Sequence, residues 1–360
     1  MHFGEVEGAH DLNLKVIFRR AVKSCLLNLL HHFPLENFTE IYFQALNMKS
    51  KKFYTYSART IAIKKNSLAN PTLESQRKNS DVGIILQGPI SHGQDFTYWT
   101  ILRYLQCYPG AHVILATWYS EKLGKIAKLD EEYPNLHVLR LEYPSIAGPS
   151  NINYQICSTK AGLAKVRDLK LEYVIKSRTD QCLYDVYSLD KLRYALKSFP
   201  EASSGSRIIF LSFGSLLFRL YAPSDMFQFG KTDQLIKYWD VKYDSRINWE
   251  PPQEGLSLRQ WSMNELCEVY ICANYLRNLG YELDFTMKQN LSFFKDLFIL
   301  VDSTQVDLIW NKYTYKENRF AVEEFPDKFQ EWNSSLWSNL SQNFQVLGDY
   351  DGFLDQNADS

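Results

Sequence analysis

The sequence lacks the residue patterns that mark zinc sites, disulfide-rich folds and membrane-spanning helices. Its six cysteines are scattered without a CxxC pair, and all seven histidines lie at or before position 137. This spacing gives neither a zinc signature nor a disulfide framework, so a reducing cytosol is favoured. No segment reaches the roughly 18 uninterrupted apolar residues of a membrane span, and residues 1–8 do not form the basic start of a secretory signal.

The overall composition excludes several further classes. Hydrophobic residues make up 45% and charged residues 22% of the 360 residues, which excludes collagen-like, disordered and coiled-coil proteins. The net charge of −1 hides a gradient, because residues 1–80 carry 12 Lys/Arg against 6 Asp/Glu and residues 316–360 carry 3 against 9. A basic front end attracts a membrane or polyanion, whereas the balanced middle argues against a nucleic-acid-binding core.

The basic front end contains one amphipathic segment, LNLKVIFRRAVKSCLLNLLHHF (12–33). Its apolar residues recur at helical spacing, while Lys15, Arg19 and Lys23 fall on the opposite side. Such a helix can lie on an anionic membrane surface, or it can dock on the protein's own core. Residues 48–80 are rich in Lys, Ser and Asn and indicate a linker.

From residue 81 onward, short apolar runs alternate with helical patterns. The runs are DVGIILQ (81–87), HVILATW (112–118), HVLRLEY (137–143), YVIKSRTD (173–180) and RIIFLSF (207–213). Strands that alternate with helices predict βαβ units and a mainly parallel sheet. Because ligands bind at the carboxyl ends of the strands in such sheets, the strand ends are the places to look for a site.

The first two predicted strands end in residues suited to a ligand. The first strand is followed by QGPI (87–90), where Gly88 allows close backbone approach and Pro89 stiffens the turn. Neither GxGxxG nor GxxxxGK[ST] occurs there, which excludes a dinucleotide fingerprint and a P-loop. The second strand ends in Thr117 and Trp118, whose indole can stack on a base or cap the sheet edge.

The helix predicted after the third strand begins with NINYQICST (151–159). Asn151 or Asn153 can cap this helix, and a helix N-terminus with polar side chains suits a phosphate group. Ordinary capping explains the same pattern without a ligand.

The fourth strand ends in KSRTDQ (176–181). Asp180 offers hard oxygen ligands for Mg²⁺ or Mn²⁺, and Lys176 and Arg178 offer contacts for phosphate. Since the motif supplies one carboxylate, a metal here would be shared with the phosphates of the substrate. The alternative is an Arg178–Asp180 salt bridge at a loop.

Three later residues are also candidates. Asp225 lies among aromatic residues in SDMFQFG (224–230), whose rings suit a sugar, and Glu268 lies on a predicted helix over 261–276. Either acid can serve as a general base, although an acid on such a helix is also typical of a solvated face. Lys312 lies beside aromatic residues and is a candidate pyrophosphate contact or a surface residue.

Six segments occur in an order that resembles the WavE lipopolysaccharide-synthesis family of bacteria, whose members are taken to be glycosyltransferases. They are GIILQGPI (83–90), HVILATW (112–118), NINYQICSTKAGL (151–163), YVIKSRTDQ (173–181), PSDMFQFG (223–230) and CEVYI (267–271). The resemblance covers roughly residues 80–315 and implies a GT-A-like nucleotide-binding sheet. Two positions depart from the family pattern, with Tyr154 in place of Arg and Cys267 in place of Pro.

The strand ends and the resemblance together predict a nucleotide-sugar site. Catalytic roles fall on Asp180, Asp225 and Glu268, and Asp180 is also the predicted ligand of Mg²⁺ or Mn²⁺. The resemblance further implies roles for Thr159 and Gly230. The predicted contacts of the nucleotide-sugar are Gln87, Gly88, Pro89, Ile90, Thr117, Trp118, Asn151, Asn153, Gln155, Ser158, Lys176, Arg178, Thr179, Gln181 and Lys312.

The predicted fold is α/β, with a GT-A-like (Rossmann-like), mainly parallel sheet flanked by helices and with helical extensions at both ends. A basic lead-in (1–80) precedes the glycosyltransferase domain (81–315), and an acidic extension (316–360) follows it. The predicted function is transfer of a sugar from a nucleotide-sugar donor to a lipopolysaccharide or capsular glycan acceptor. A sugar-phosphate nucleotidyl- or phosphotransferase, and a non-catalytic glycan-binding or assembly protein, are the alternatives.

The expected partners follow from that function. They are a nucleotide-sugar donor, a glycan or lipid-linked glycan acceptor, and the inner-membrane surface through residues 12–33, with no nucleic acid. The expected location is cytoplasmic, or peripheral on the inner face of the cytoplasmic membrane.

Overall fold

A computed structural model describes residues 79–199, 201, 205–247, 256–311, 331–342 and 351–355. The predicted amphipathic segment (12–33), most of the basic lead-in and most of the acidic extension lie outside these residues. Lys312 lies outside them as well.

The five predicted strands are present, and helices separate them as the sequence predicts, while four further strands occur that the sequence analysis does not predict. The strands are β1 (Val82–Gln87), β2 (His112–Trp118), β3 (Leu136–Leu141), β4 (Tyr173–Arg178), β5 (Gln181–Leu183), β6 (Ile208–Leu211), β7 (Gln228–Lys231), β8 (Phe298–Val301) and β9 (Leu308–Trp310). The helices are α1 (Phe96–Cys107), α2 (Lys125–Glu132), α3 (Ile152–Asp168), α4 (Ser188–Ser198), α5 (Thr232–Trp239), α6 (Leu258–Met263), α7 (Glu268–Asn278), α8 (Met287–Asp296), α9 (Ser334–Gln342) and α10 (Asp351–Leu354).

Seven of these strands form one sheet in the order β3-β2-β1-β4-β7-β6-β8. The β1–β2, β1–β4, β2–β3 and β6–β8 pairs are parallel, and β7 runs antiparallel to both of its neighbours. The predicted fold class, an α/β protein with a mainly parallel sheet flanked by helices, is therefore confirmed. β5 and β9 form a separate two-stranded antiparallel sheet.

The order of the first four strands places a crevice at the carboxyl ends of β1 and β4. The chain moves outward from β1 to β2 and β3 and then returns to the other side of β1 as β4. Gln87, at the end of β1, is in register with Ala116 of β2 and with Arg178 of β4. Ligands bind at this kind of switch point, outside the carboxyl ends of the strands.

Helix α3 packs closely on the sheet beneath this crevice. A Cβ atom on Gly162 would lie 2.7 Å from the side chain of Ile85, and one on Gly83 would lie 2.7 Å from Val166. Both distances are shorter than real carbon contacts, so glycine at these two positions permits the close approach. The packing fixes the start of α3 next to the ends of β1 and β2.

The helix predicted over 261–276 is two helices, α6 and α7. Glu265 and Cys267 in the connection have positive φ angles of 47° and 48°, and Arg246 donates hydrogen bonds to the carbonyls of Asn264 (2.7 Å) and Glu265 (2.8 Å). A proline ring fixes φ near −65°. The departure from the family pattern at Cys267 therefore permits a backbone conformation that proline cannot adopt.

β7 was not among the predicted strands, because its sequence, QFGK, does not alternate apolar and polar residues. Its first three residues are buried, and it fills the space between β4 and β6.

Among the described residues, no helix combines the length and the apolar character needed to span a membrane.

Candidate functional site

A pocket of about 560 Å³ lies at the carboxyl ends of β1 and β4. Its wall combines the turn after β1, the ends of β2 and β4, the loop after β3 and the start of α3. The lining residues are Gln87, Gly88, Pro89, Ile90, Ser91, Trp118, Tyr143, Ser150, Asn151, Tyr154, Gln155, Arg178, Thr179 and Asp180.

The turn after β1 is tied to both neighbouring strands. Gly88 has a φ angle of 112°, and its N–H donates to the carbonyl of Ala116 on β2 (3.0 Å). The N–H of Thr179 donates to the carbonyl of Gln87 (3.2 Å), and the Thr179 hydroxyl donates to the carbonyl of Pro89. These bonds hold the floor of the pocket rigid, and Gly88 presents no side chain there.

Arg178 and Asp180 form a bidentate pair at the end of β4. Nε and Nη2 of Arg178 each lie 2.8 Å from a carboxylate oxygen of Asp180. Burial alone would raise the pKa of Asp180, but the hydrogen bonds and charge of Arg178, with a hydrogen bond from Trp310, outweigh it and lower this pKa. The carboxylate is thus held ionised and the guanidinium is oriented at the pocket wall. Within the described lining, these two residues carry the only charges.

Three aromatic rings form the opposite wall. Trp118 stacks on Tyr143 with ring centroids 4.3 Å apart, and Tyr154 meets both rings edge-on at 5.6 Å and 5.0 Å. Trp118 is 2% exposed and Tyr143 is 44% exposed. The exposed stacking surface is therefore that of Tyr143, with Trp118 supporting it from behind.

Asn151 occupies the N-cap position of α3, one of the two positions that the sequence predicts, but its side chain makes no capping hydrogen bond. Asn151 lines the pocket with a φ angle of 64°, next to Ser150 at 50°. Asn153 is fully buried, and its amide exchanges two hydrogen bonds with the backbone of Asp244 (2.7 and 2.8 Å). It anchors the helix start to a neighbouring loop and faces away from the pocket.

Several predicted contacts lie behind the pocket wall and do not line it. Ser158 donates to the side-chain oxygen of Gln87 (2.9 Å), and Ser177 donates to that of Gln181 (3.3 Å). Thr117, Ser158 and Gln181 are all fully buried. The structure thus places them as supports of the strand ends.

Lys176 is also fully buried. Its ammonium nitrogen donates to the carbonyl of Asp225 and lies 4.9 Å from the ring centroid of Trp239. Burial disfavours the charged amine and lowers the pKa of Lys176 to about 7, although the nearby carboxylates Asp225 and Glu268 act to raise it. The amine is thus held by the Asp225 backbone and the Trp239 ring, and Lys176 does not line the pocket.

Neither Asp225 nor Glu268 lines the pocket. Asp225 is 6% exposed, and its carbonyl accepts a hydrogen bond (3.3 Å) from Gln155, which does line the pocket. Glu268 begins α7 and forms an ion pair with Arg219, with 3.5 Å between the closest atoms. Both carboxylates act to raise the pKa of Lys176.

The pocket suits a shared divalent cation better than an all-protein metal site. Among the residues described, no group of three or more His, Cys, Asp and Glu is placed to hold a metal. Mg²⁺ is commonly held by one or two carboxylates together with substrate phosphates. Asp180 supplies one such carboxylate, so it fits a cation brought in with a phosphorylated donor once Arg178 releases its oxygens.

Four lining residues escaped the sequence prediction: Ser91, Tyr143, Ser150 and Tyr154. Tyr143 is the last residue of the third predicted strand, so the strand-end rule could have found it. Tyr154 lies inside the predicted motif at 151–159. The sequence analysis notes it only as the residue that replaces an arginine of the family pattern. The positions of Ser91 and Ser150 depend on loop geometry that carries no sequence signal.

Comparisons with known proteins give one family and one solved structure that the chain is similar to. The family model described as WavE lipopolysaccharide synthesis matches residues 82–344. No curated protein sequence matches the chain. A solved structure of a cytidylyltransferase from Leptospira borgpetersenii serovar Hardjo-bovis (strain JB197) is 12% identical, with 74% of this chain and 96% of that chain covered. Its TM-score is 0.35, which carries no argument about function.

Proposed function

The chain belongs to the WavE lipopolysaccharide-synthesis family, and on that premise we propose that it is a nucleotide-sugar-dependent glycosyltransferase that extends a lipopolysaccharide or capsular glycan. The observation that carries the proposal is the pocket of about 560 Å³ at the switch point between β1 and β4. Its volume lies within the usual range for small-molecule sites. It joins an aromatic wall to a positioned Arg–Asp pair.

The aromatic wall is the proposed site of the donor's base. Tyr143 offers an exposed ring face, and Trp118 and Tyr154 hold that ring in place from two sides. Stacking of a base on an aromatic ring contributes about 1–3 kcal/mol and does not require a particular base. The ribose would then lie against the turn at residues 87–90, where Gly88 leaves room for it.

The Arg178–Asp180 pair is the proposed site of the donor's diphosphate. The reaction breaks the bond between the anomeric carbon and the diphosphate oxygen, which leaves with the bonding electrons. Arg178 stabilises this leaving group, since its planar fork matches phosphate oxygens. A divalent cation at Asp180 would supply further charge neutralisation for the same oxygens.

The acceptor hydroxyl forms the new bond to the anomeric carbon, and its proton must be taken up. For an inverting enzyme, Asp225 and Glu268 are the proposed bases. The backbone of Asp225 bonds Gln155, which lines the pocket, and both carboxylates act on the pKa of Lys176. In a retaining enzyme the departing diphosphate oxygen can accept this proton, so no separate side-chain base is required.

The first experiment measures donor turnover in Asp180→Asn. Removing the carboxylate should lower turnover at least about 100-fold, because the pair orients Arg178 and provides the proposed cation ligand. Asp233→Asn is the matched control, since Asp233 is exposed on α5. Full activity of a folded Asp180→Asn variant would overturn the assignment.

The second experiment identifies the base. Asp225→Asn and Glu268→Gln should be compared for kcat and donor binding. The base is the residue whose loss lowers kcat by about 10²–10⁴-fold with donor affinity kept. Unchanged kcat in both variants would point to a retaining reaction.

Calorimetry with UDP, GDP, CMP and their sugars separates the classes of function. A glycosyltransferase binds one of these nucleotides and its sugar conjugate, whereas a glycan-binding protein binds none of them. A nucleotidyltransferase would instead consume a nucleoside triphosphate with a sugar phosphate.

Peripheral membrane contact through residues 12–33 is a separate proposal. It is tested by vesicle co-sedimentation of the full chain against a variant without those residues.

A further inference from the structure

A second concave surface, here called the basic pocket, has a volume of about 870 Å³. It lies between α3, the end of α5 with the loop that follows it, and the second half of α7. Its lining residues are Lys160, Lys237, Asp240, Val241, Lys242, Asn274, Tyr275, Arg277, Asn278 and Leu279. None of them lines the candidate active site.

The lining of the basic pocket carries an excess of positive charge. Four cations, Lys160, Lys237, Lys242 and Arg277, face a single carboxylate, Asp240. Lys160 lies 3.7 Å from that carboxylate. Like charges gathered in a concave surface repel one another and attract an anion.

Two of the cations have no partner within the described part of the chain. Lys237 and Lys242 form neither an ion pair nor a side-chain hydrogen bond there. Arg277 is different, since its guanidinium is held by both carboxylate oxygens of Glu265. The excess positive charge of the pocket thus rests on Lys237 and Lys242.

The backbone beneath these cations is fixed. Lys160 donates to the carbonyl of Val241 (3.1 Å), Asn278 donates to that of Asp240 (2.9 Å), and the hydroxyl of Tyr270 donates to that of Lys242 (3.2 Å). Val241 is itself buried. Three side chains from two helices, α3 and α7, therefore hold the loop after α5 in place, so the pocket is preformed.

We propose that the basic pocket binds a phosphate-bearing anion, at a site separate from the donor pocket. Ammonium groups bind phosphate oxygens through charge-assisted hydrogen bonds. The volume exceeds what one phosphate fills, which fits a diphosphate or a phosphorylated sugar. Such a group occurs both in soluble phosphates and in lipid headgroups, and the inference holds whether or not the donor pocket transfers sugar.

The test is calorimetry with inorganic pyrophosphate on the full chain. Lys237→Gln combined with Lys242→Gln should weaken one binding component at least about tenfold, a change of about 1.4 kcal/mol. The control is Lys197→Gln combined with Lys288→Gln, which removes the same charge from exposed positions on α4 and α8. Equal pyrophosphate binding in the two double variants would overturn the proposal.

A third variant separates this site from the donor pocket. Arg178→Gln alters the donor pocket and should keep the component that the Lys237/Lys242 double variant loses. If Arg178→Gln instead abolishes all pyrophosphate binding, the basic pocket binds no anion and the proposed glycosyltransferase function still stands.

Vesicles identify the source of the anion. Co-sedimentation with phosphatidylglycerol–phosphatidylcholine vesicles, compared with phosphatidylcholine alone, should fall in the Lys237/Lys242 variant if a lipid headgroup occupies the pocket. If the Lys237/Lys242 variant loses pyrophosphate binding but keeps vesicle binding, the occupant is a soluble phosphate. If the variant keeps both pyrophosphate binding and vesicle binding, the proposed site is refuted.

Discussion

Replacing Lys176 by methionine should remove a pH dependence of stability that this buried amine creates. Burial lowers its pKa from 10.5 to about 7 in the folded protein, whereas the unfolded chain keeps the ordinary value. Between these two values the unfolded chain binds more protons, so the free energy of unfolding rises with pH. The contribution is complete above the unfolded value and is lost as pH falls through about 7.

The size of the effect follows from the proton count. At about pH 7 the native amine is half protonated, and by about pH 8.5 it is nearly neutral, while the unfolded amine stays charged. A full proton difference is worth about 1.36 kcal/mol per pH unit, so the gain over this window is about 1.5 kcal/mol. The window ends where thiols begin to ionise, because burial raises the pKa values of Cys182 and Cys272 and these groups act in the opposite direction.

Urea unfolding followed by tryptophan fluorescence measures the difference at the two pH values. The gain of the wild type, and of Lys197→Met, which changes an exposed lysine on α4, should exceed the gain of Lys176→Met by about 1.5 kcal/mol. The other ionising groups are common to all three proteins and cancel in this difference. The same gain in Lys176→Met as in the wild type would refute the description of Lys176 as a neutral buried amine.

Three further substitutions probe the pocket. Gly88→Ala forces a side chain onto a φ angle of 112° and should cost about 1–3 kcal/mol in urea unfolding; an unchanged midpoint would contradict this. Tyr143→Ala should weaken nucleotide binding about tenfold in calorimetry because it removes the stacking face, whereas the exposed Tyr194→Ala should not. Arg178→Lys loses the bidentate bond, so the pKa of Asp180 should rise and the acid limb of the pH–rate profile should move to higher pH; an unmoved limb would count against the pair.

The sheet was predictable because its strands are short apolar runs that end in ligand-suited residues. Buried parallel strands carry apolar side chains on both faces, which is the pattern at 81–87 and 112–118. The same rule located the pocket, since ten predicted contacts and catalytic residues line it.

The sequence analysis predicts neither β5, β7, β8 and β9 nor the break between α6 and α7. Two of these features have a clear physical reason. β7 is held by its neighbours on both sides, so its own sequence does not need strand periodicity. The break between α6 and α7 depends on Arg246, which lies far away along the chain and bonds the connecting carbonyls. Local patterns carry neither kind of tertiary constraint.

Burial was the other feature that the sequence did not show. Lys176 and Arg178 are two residues apart on one strand, and both were predicted to bind phosphate. Alternate residues of a strand point to the same face, yet only Arg178 lies at the strand end that opens to the pocket. Lys176 is fully buried, and its amine bonds the carbonyl of Asp225 and lies against the ring of Trp239.

The charge of the pocket leads to a last prediction about metal dependence. Arg178 and Asp180 neutralise each other, so the described lining offers no net positive charge to a diphosphate. If Asp180 exchanges Arg178 for a divalent cation, both the cation and the guanidinium become available to the phosphate oxygens. Chelation by EDTA should therefore weaken binding of the nucleoside diphosphate at least about tenfold and leave the nucleoside unaffected. Equal diphosphate affinity with and without EDTA in calorimetry would show that Arg178 alone holds the phosphates.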